Sequence, residues 1–193
     1  RAIFKNSWVN PNYGLDREGV FFSTEIGSCK VVMTDNRYFR TGEPGSFLGA
    51  TQMQWLKQQI ADCASPFLIL SCGSMWSDFV SNGKDSWGVN DPEGREEIFN
   101  LIEEKNISGV LLISGDRHGA RGFAIERKSG FKFYEFEAGS LGARTGPPKT
   151  KPEWTTQLYG IDNTFAFGEF TFETFRDEPQ VVFRLIKEDG SIL

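Results

Sequence analysis

Histidine is almost missing from this chain: one, His118, occurs in 193 residues. That scarcity excludes any mechanism in which two imidazoles of this chain share the work. Cysteine is nearly as scarce. Cys29, Cys63 and Cys72 are odd in number and form no Cys-x-x-Cys pair, which argues against a zinc ribbon. Cys29 and Cys72 lie in or beside apolar runs and read as inert core thiols, with one disulfide plus a free thiol as the alternative. Basic residues are outnumbered, 21 against 26 acidic, leaving a net charge of −5. Nucleic acid is therefore not a default partner, although an acidic protein still binds phosphate where metal ions supply positive charge locally. No run approaches the roughly 20 apolar residues of a transmembrane segment. The chain opens at Arg1 without a signal-peptide pattern. Repeats and low-complexity tracts are absent. So is a Gly-x-Ser-x-Gly elbow, which counts against a serine or cysteine nucleophile; Ser140, in Gly139-Ser140-Leu141-Gly142, has the wrong continuation.

What is present is aromatic and strand-rich. The 18 Phe and 5 Trp are a large apolar payload for one domain with its own core. Arg1 to Leu15 is polar and aromatic, with the turn chemistry of Asn-Pro-Asn-Tyr-Gly, and reads as an ordered loop. Val20 to Ile26 and Lys30 to Thr34 read as a hairpin turning at Gly27-Ser28. Asp35 then either pairs with Arg37 or Arg40 to pin the following loop, or orients a ligand. Thr51 to Ala64 has the apolar spacing of an amphipathic helix, with Trp55 as a core anchor. Phe67 to Ser71 is an apolar strand. At its carboxyl end, Ser74 and Trp76 either pack locally or line a site. Ser77 to Pro92 is a long polar loop, and Glu93 to Lys105 a helix with Ile98, Leu101 and Ile102 on one face.

The run from Gly109 to Gly119 concentrates the chemistry. Val110 to Ile113 is a buried strand, and Asp116, Arg117 and His118 follow at its carboxyl end, the edge where ligands bind in open α/β sheets. In an extended segment Asp116 and His118 point the same way and can share a hard or borderline metal ion. A hydrogen-bonded structural histidine and an Asp-Arg helix cap remain open on spacing alone. Strand, helix and strand from Phe67 to Ile113 form a βαβ unit. Its right-handed crossover makes the strands parallel and brings Gly73-Ser74 and Asp116 to His118 to one edge. Phe123 to Arg127, Lys132 to Phe136, Phe165 to Phe172 and Val181 to Ile186 alternate as antiparallel strands. Between them a Gly/Pro-rich connection runs from Gly139 through Pro148 to about Tyr159. The fold class is α/β with an α+β tendency: a mixed sheet with one βαβ unit, then antiparallel strands.

Gly115-Asp116-Arg117-His118 after an apolar strand resembles the final metal-binding motif of the PhoD-like alkaline phosphatase and phosphodiesterase family, a branch of the calcineurin-like metallophosphoesterases. Further pieces follow in that family's order: Trp8 to Gly14 with Gly19 to Phe21, Met33 to Arg40 around Asp35-x-Arg37-x-x-Arg40, Leu48 to Leu56 as Leu-Gly-x-x-Gln-x-x-Trp-Leu, and Asp85-Ser86-Trp87 with Arg95-Glu96. The resemblance implies the C-terminal half of a four-layer αββα sandwich spanning residues 1 to 193. It implies hydrolysis of phosphomonoesters or phosphodiesters at a site with two or more metal ions, calcium and iron first, with zinc or manganese also compatible. Asp116 and His118 are then the catalytic metal ligands. Arg117, Ser74 and Trp76 are the substrate-binding candidates, with Arg117 expected to point away from the metals toward a carboxylate. The superfamily's early motifs, Asp-x-His, Gly-Asp-x-x-Asp and Gly-Asn-His-Asp or Glu, do not occur. The expectation is an N-terminal half that is cleaved, supplied as a second chain, or lies outside this sequence. Export is common in the family, so an extracytoplasmic place, periplasmic or secreted, is expected. The alternative is a non-catalytic half-domain acting as an interaction module.

Overall fold

Continuous apolar runs need burial on both faces, and they sit at the middle of the sheet. The computed structural model describes residues 1–15, 18–43, 45–79, 85–142, 144–146 and 156–193. A seven-stranded sheet runs in the order β1 (Phe22–Ile26), β2 (Cys29–Met33), β3 (Phe67–Ser71), β4 (Val110–Ser114), β6 (Lys132–Glu137), β5 (Ala120–Glu126), β7 (Gln157–Ile161). Strands β2, β3, β4 and β6 are mutually parallel, and the outer pairings are antiparallel. Met33, Ser71, Ile113 and Phe136 lie in one register row across them. Their carboxyl ends therefore share one edge.

The period of two sorts side chains to the two faces. Leu68 and Leu70 of β3, with Val110 and Leu112 of β4, pack under α2 (Gly49–Ala61) and α4 (Pro92–Glu104), burying Leu56, Ile60, Ile98 and Ile102. Phe67, Ile69 and Leu111 face the other way, under a two-stranded antiparallel ribbon of β8 (Ala166–Glu173) and β9 (Gln180–Lys187), which contributes Phe170, Phe172 and Val181. Each such fully buried aliphatic side chain contributes about 1.5–3 kcal/mol. The layers are helix, mixed sheet and ribbon. Among the described residues the second β-layer has these two strands.

Local chemistry sets the boundaries. Asp91 caps α4 by accepting from the Gly94 N–H at 3.2 Å, and Pro92 starts the helix where no donor is needed. Three elements differ from expectation. Ala2–Ser7 is a short helix, α1, with no buried residue, so it carries no apolar stripe to betray it. Strand β7 occupies the end of the Gly/Pro-rich connection, whose residues 143 and 147–155 lie outside the described set. The polar stretch from Ser77 contains a one-turn helix, α3 (Trp87–Asn90), capped by Ser86; its residues 80–84 are likewise outside. No helix of the described residues is long and apolar enough to cross a membrane.

Candidate functional site

Strand β4 ends at Ser114, and the chain turns back into β5 at Ala120. The loop between them is not extended. Asp116 and His118 have φ of +81° and +52°, the left-handed region that side chains with a Cβ generally avoid. The expected alternation along a strand therefore does not apply here. The division of sides survives by another route: Asp116 and His118 are exposed, whereas Arg117 between them is half-buried.

Two groups from the neighbouring strands hold this turn. The Arg117 N–H donates to Glu137 Oε1 at 2.7 Å, and Arg121 Nη2 donates to the Arg117 carbonyl at 3.2 Å. Glu137 and Arg121 are opposite one another on β6 and β5, and form an ion pair at 3.0 Å with both side chains 2% exposed. Burial pushes the Glu137 carboxyl up and the Arg121 guanidinium down, and their mutual attraction works against both shifts. Tyr159 on β7 donates its hydroxyl to the Glu137 carbonyl at 3.1 Å. The His118 carbonyl accepts from the Gly146 N–H, and His118 Nδ1 lies 3.4 Å from the Arg144 carbonyl. With its proton on Nδ1, the ring leaves Nε2 as a free acceptor.

The two adjacent strand ends complete the edge. Beyond β3, Ser74 is buried, with its hydroxyl accepting from Asn36 Nδ2 at 2.6 Å. Trp76 is fully buried, tilted against Trp87 and stacked with Phe99, and its indole N–H donates to the Ile113 carbonyl. Of the two roles open to these residues, packing describes Trp76, whereas Ser74 holds Asn36, a buried residue that lines a cavity at this edge. Beyond β2, Asp35 does not meet Arg37 or Arg40 by a guanidinium pair. Its carboxylate instead accepts from the backbone N–H groups of Val20, Arg37 and Tyr38 at 2.9 to 3.0 Å. Both guanidinium groups go to Asp85, Arg37 at 2.5 Å and Arg40 at 2.6 Å. Arg40 also stacks over Phe47, while the Arg37 side chain is 55% exposed. The Asp85 hydrogen bond is the main influence holding Arg37 charged, and Asp116 adds to it through space.

A cavity of about 380 Å³ runs along this edge, lined in part by Asn36, Cys72, Gly73, Ser114 and Gly115. A larger cleft of about 490 Å³, beside α2 and the start of α4, contains none of these groups. All three cysteines are free thiols, and burial raises Cys72 to about 11, so it stays protonated at neutral pH.

As metal ligands, Asp116 and His118 offer one oxygen and one nitrogen on one exposed loop, with the Arg144 carbonyl 3.4 Å from the imidazole Nδ1. They fit part of a metal site. Among the described residues no group of three or more His, Cys, Asp or Glu side chains is placed to hold an ion. Reading the sequence missed Glu135 and Glu137, yet a signal was there. Along β6 they share the phase of Phe133, and all three are buried. Carboxylates on the apolar phase of a strand need partners: Glu135 accepts from the Trp76 and Ser77 N–H groups at 2.7 and 3.2 Å.

A family model described as PhoD-like phosphatase matches residues 9–181. No curated protein matches the chain. A solved structure described as that of PhoD is similar at a TM-score of 0.63 and 14% identity, over 88% of this chain and 42% of that one. A second, described as GAP50, the anchor in the inner membrane complex of Plasmodium, is similar at a TM-score of 0.52 and 14% identity, over 96% of this chain and 54% of that one. At such identities the likeness establishes the fold. The chain spans about half the length of these proteins.

Proposed function

The chain belongs to the PhoD-like phosphatase family, and on that premise we propose that it supplies the last metal-binding motif of a phosphomonoester or phosphodiester hydrolase. The observation that carries this reading is the Gly115–Gly119 loop, which presents Asp116 and His118 to solvent at the carboxyl edge of four parallel strands. Asp116 would hold a metal ion through its carboxylate and His118 through Nε2. Ions there supply activation of water and neutralisation of the phosphoryl oxygens. Calcium and iron are the first choice, with zinc or manganese compatible with the same donors. Arg117, half-buried beside Glu137, belongs to the loop's support. Arg37 follows β2, two strand spacings or about 10 Å from β4, and its exposed guanidinium suits a phosphate-ester oxygen. Asn36, held by Ser74, lines the cavity along this edge.

The other ligands would come from the N-terminal half of the same enzyme, joined to this segment or present as a second chain. Residues 1–193 would then be the C-terminal half of one catalytic domain, working in an extracytoplasmic compartment. Intact mass, N-terminal sequencing and metal content of the active material test this on one sample. The expected result is a second stretch of polypeptide bearing Asp/His motifs, more than one metal per complex, and no turnover by the 193-residue chain alone. Robust hydrolysis by that chain alone would overturn the division of labour.

The second reading is a non-catalytic half-domain serving as an interaction module. One observation favours it: the likeness to a protein described as an anchor. A metal-free complex without turnover would decide for it.

A further inference from the structure

We propose that Glu137 and Arg121 are positioning residues that grip the two peptide groups flanking Arg117 and so fix where Asp116 and His118 present their donor atoms. The inference deepens the metal-site reading above and rests on it for its purpose. The N–H that Glu137 accepts belongs to the peptide shared with Asp116, and the carbonyl that Arg121 meets belongs to the peptide shared with His118. Each candidate ligand is therefore tied, one bond away, to one member of a buried ion pair.

Three features set this pair apart from an ordinary stabilising contact. First, two charges are costly to remove from water, and a well-packed apolar pair of similar volume is often as stable or more so. Stability alone does not explain Glu137 and Arg121 at 2% exposure. Second, a turn with positive φ at Asp116 and His118 cannot use ladder partners for its peptide groups, and such strain persists only where the surroundings over-determine it. The ion pair supplies a fixed acceptor and a fixed donor. Third, the pair stands on a rigid base: Arg121 and Glu137 are cross-strand neighbours, and Tyr159 ties the Glu137 backbone to β7.

His118 is the chain's single histidine, so its imidazole gives one unambiguous set of NMR signals for a test without turnover. The full chain is compared as wild type, as Arg121→Met, and as the neutral double variant Glu137→Gln with Arg121→Met, which strands no charge if the single variant fails to fold. Ile125→Val on β5, which faces the helix side, serves as a destabilised control away from the loop. The ring tautomer is read without metal, and Mn²⁺ and Zn²⁺ are then titrated. In the wild type a dominant Nδ1–H tautomer is expected; in the Arg121 variants the tautomers mix and metal affinity falls about tenfold or more, the scale seen when a supporting partner of a ligand is removed. The control should lower the melting temperature and leave both readouts unchanged. An unaltered tautomer and affinity in folded Arg121 variants would overturn the proposal. If the wild type alone binds neither ion, its two donors need the ligands expected from the N-terminal half, and the tautomer comparison by itself still decides whether the pair positions His118.

Discussion

Backbone conformation limits what can replace His118. At φ +52° a β-branched residue is strained, whereas asparagine visits this region several-fold more readily than most residues. His118→Asn should therefore remove the imidazole and spare the turn. The expected outcome is a fall in metal affinity of at least roughly 100-fold, beyond the loss of a supporting group. The melting temperature should stay within about 2 °C, less than 1 kcal/mol would move it. His118→Val should lower both. Calorimetric titration and thermal melts on the two variants check this; equal melting losses would mean that the imidazole itself holds the loop. Much of this residue's setting was legible in the sequence, because an apolar strand ending in Gly-Asp-Arg-His predicts an exposed loop at a sheet edge. The positive φ values were not. Nothing local in the sequence distinguishes a turn here from three more extended residues.

Among the elements, the approach into β4 is the most constrained. Gly109 has φ +68°, and a Cβ there would sit 2.2 Å from the Pro66 carbonyl oxygen. Backbone cannot yield as a flexible side chain would. Gly109→Ala should cost on the order of 1–3 kcal/mol from the conformation alone, with the collision adding to it. Thermal unfolding should shift down by several degrees, at about 2–4 °C per kcal/mol for a chain of this size. An unchanged melting temperature would mean that β3 and β4 shift apart freely at this end. Strands β3 and β4 and helix α4 were legible because burial on both faces, or on one stripe, writes a pattern into the residues. Helix α1 buries nothing and wrote none. Glu137 stood in plain view on an alternating strand, but its partner Arg121 is set by the pairing of β5 with β6, which local pattern does not reveal.

At the scale of the whole molecule, Asp85 joins segments far apart in sequence, and stability toward acid follows from it. Burial opposes ionisation of Asp85, but hydrogen bonds from Arg37 and then Arg40 outweigh it and hold the carboxyl below its usual range. A group depressed in this way stabilises fully above its unfolded pKa, about 3.9. That contribution is lost as pH falls through the lower, folded value. The wild type should thus exceed Asp85→Asn by on the order of 1 kcal/mol, for a pair partly open to solvent. The gap should be constant from pH 5 to 8 and close in stronger acid. Denaturant titrations across that range test it, and a gap that widened on acidification would refute the assignment. The sequence suggested Asp35 as the partner of these arginines because it is near. The molecule uses Asp85, a choice only the assembled fold makes.

The register row through Met33, Ser71, Ile113 and Phe136 has a consequence for how the molecule comes to exist. Parallel neighbours cannot be joined by a tight turn, so every pairing in that row closes a long stretch of chain. Such contacts form slowly, in milliseconds to seconds, while the β1–β2 and β8–β9 hairpins form within microseconds. The edge bearing Asp116 and His118 is therefore among the last parts of the chain to be born.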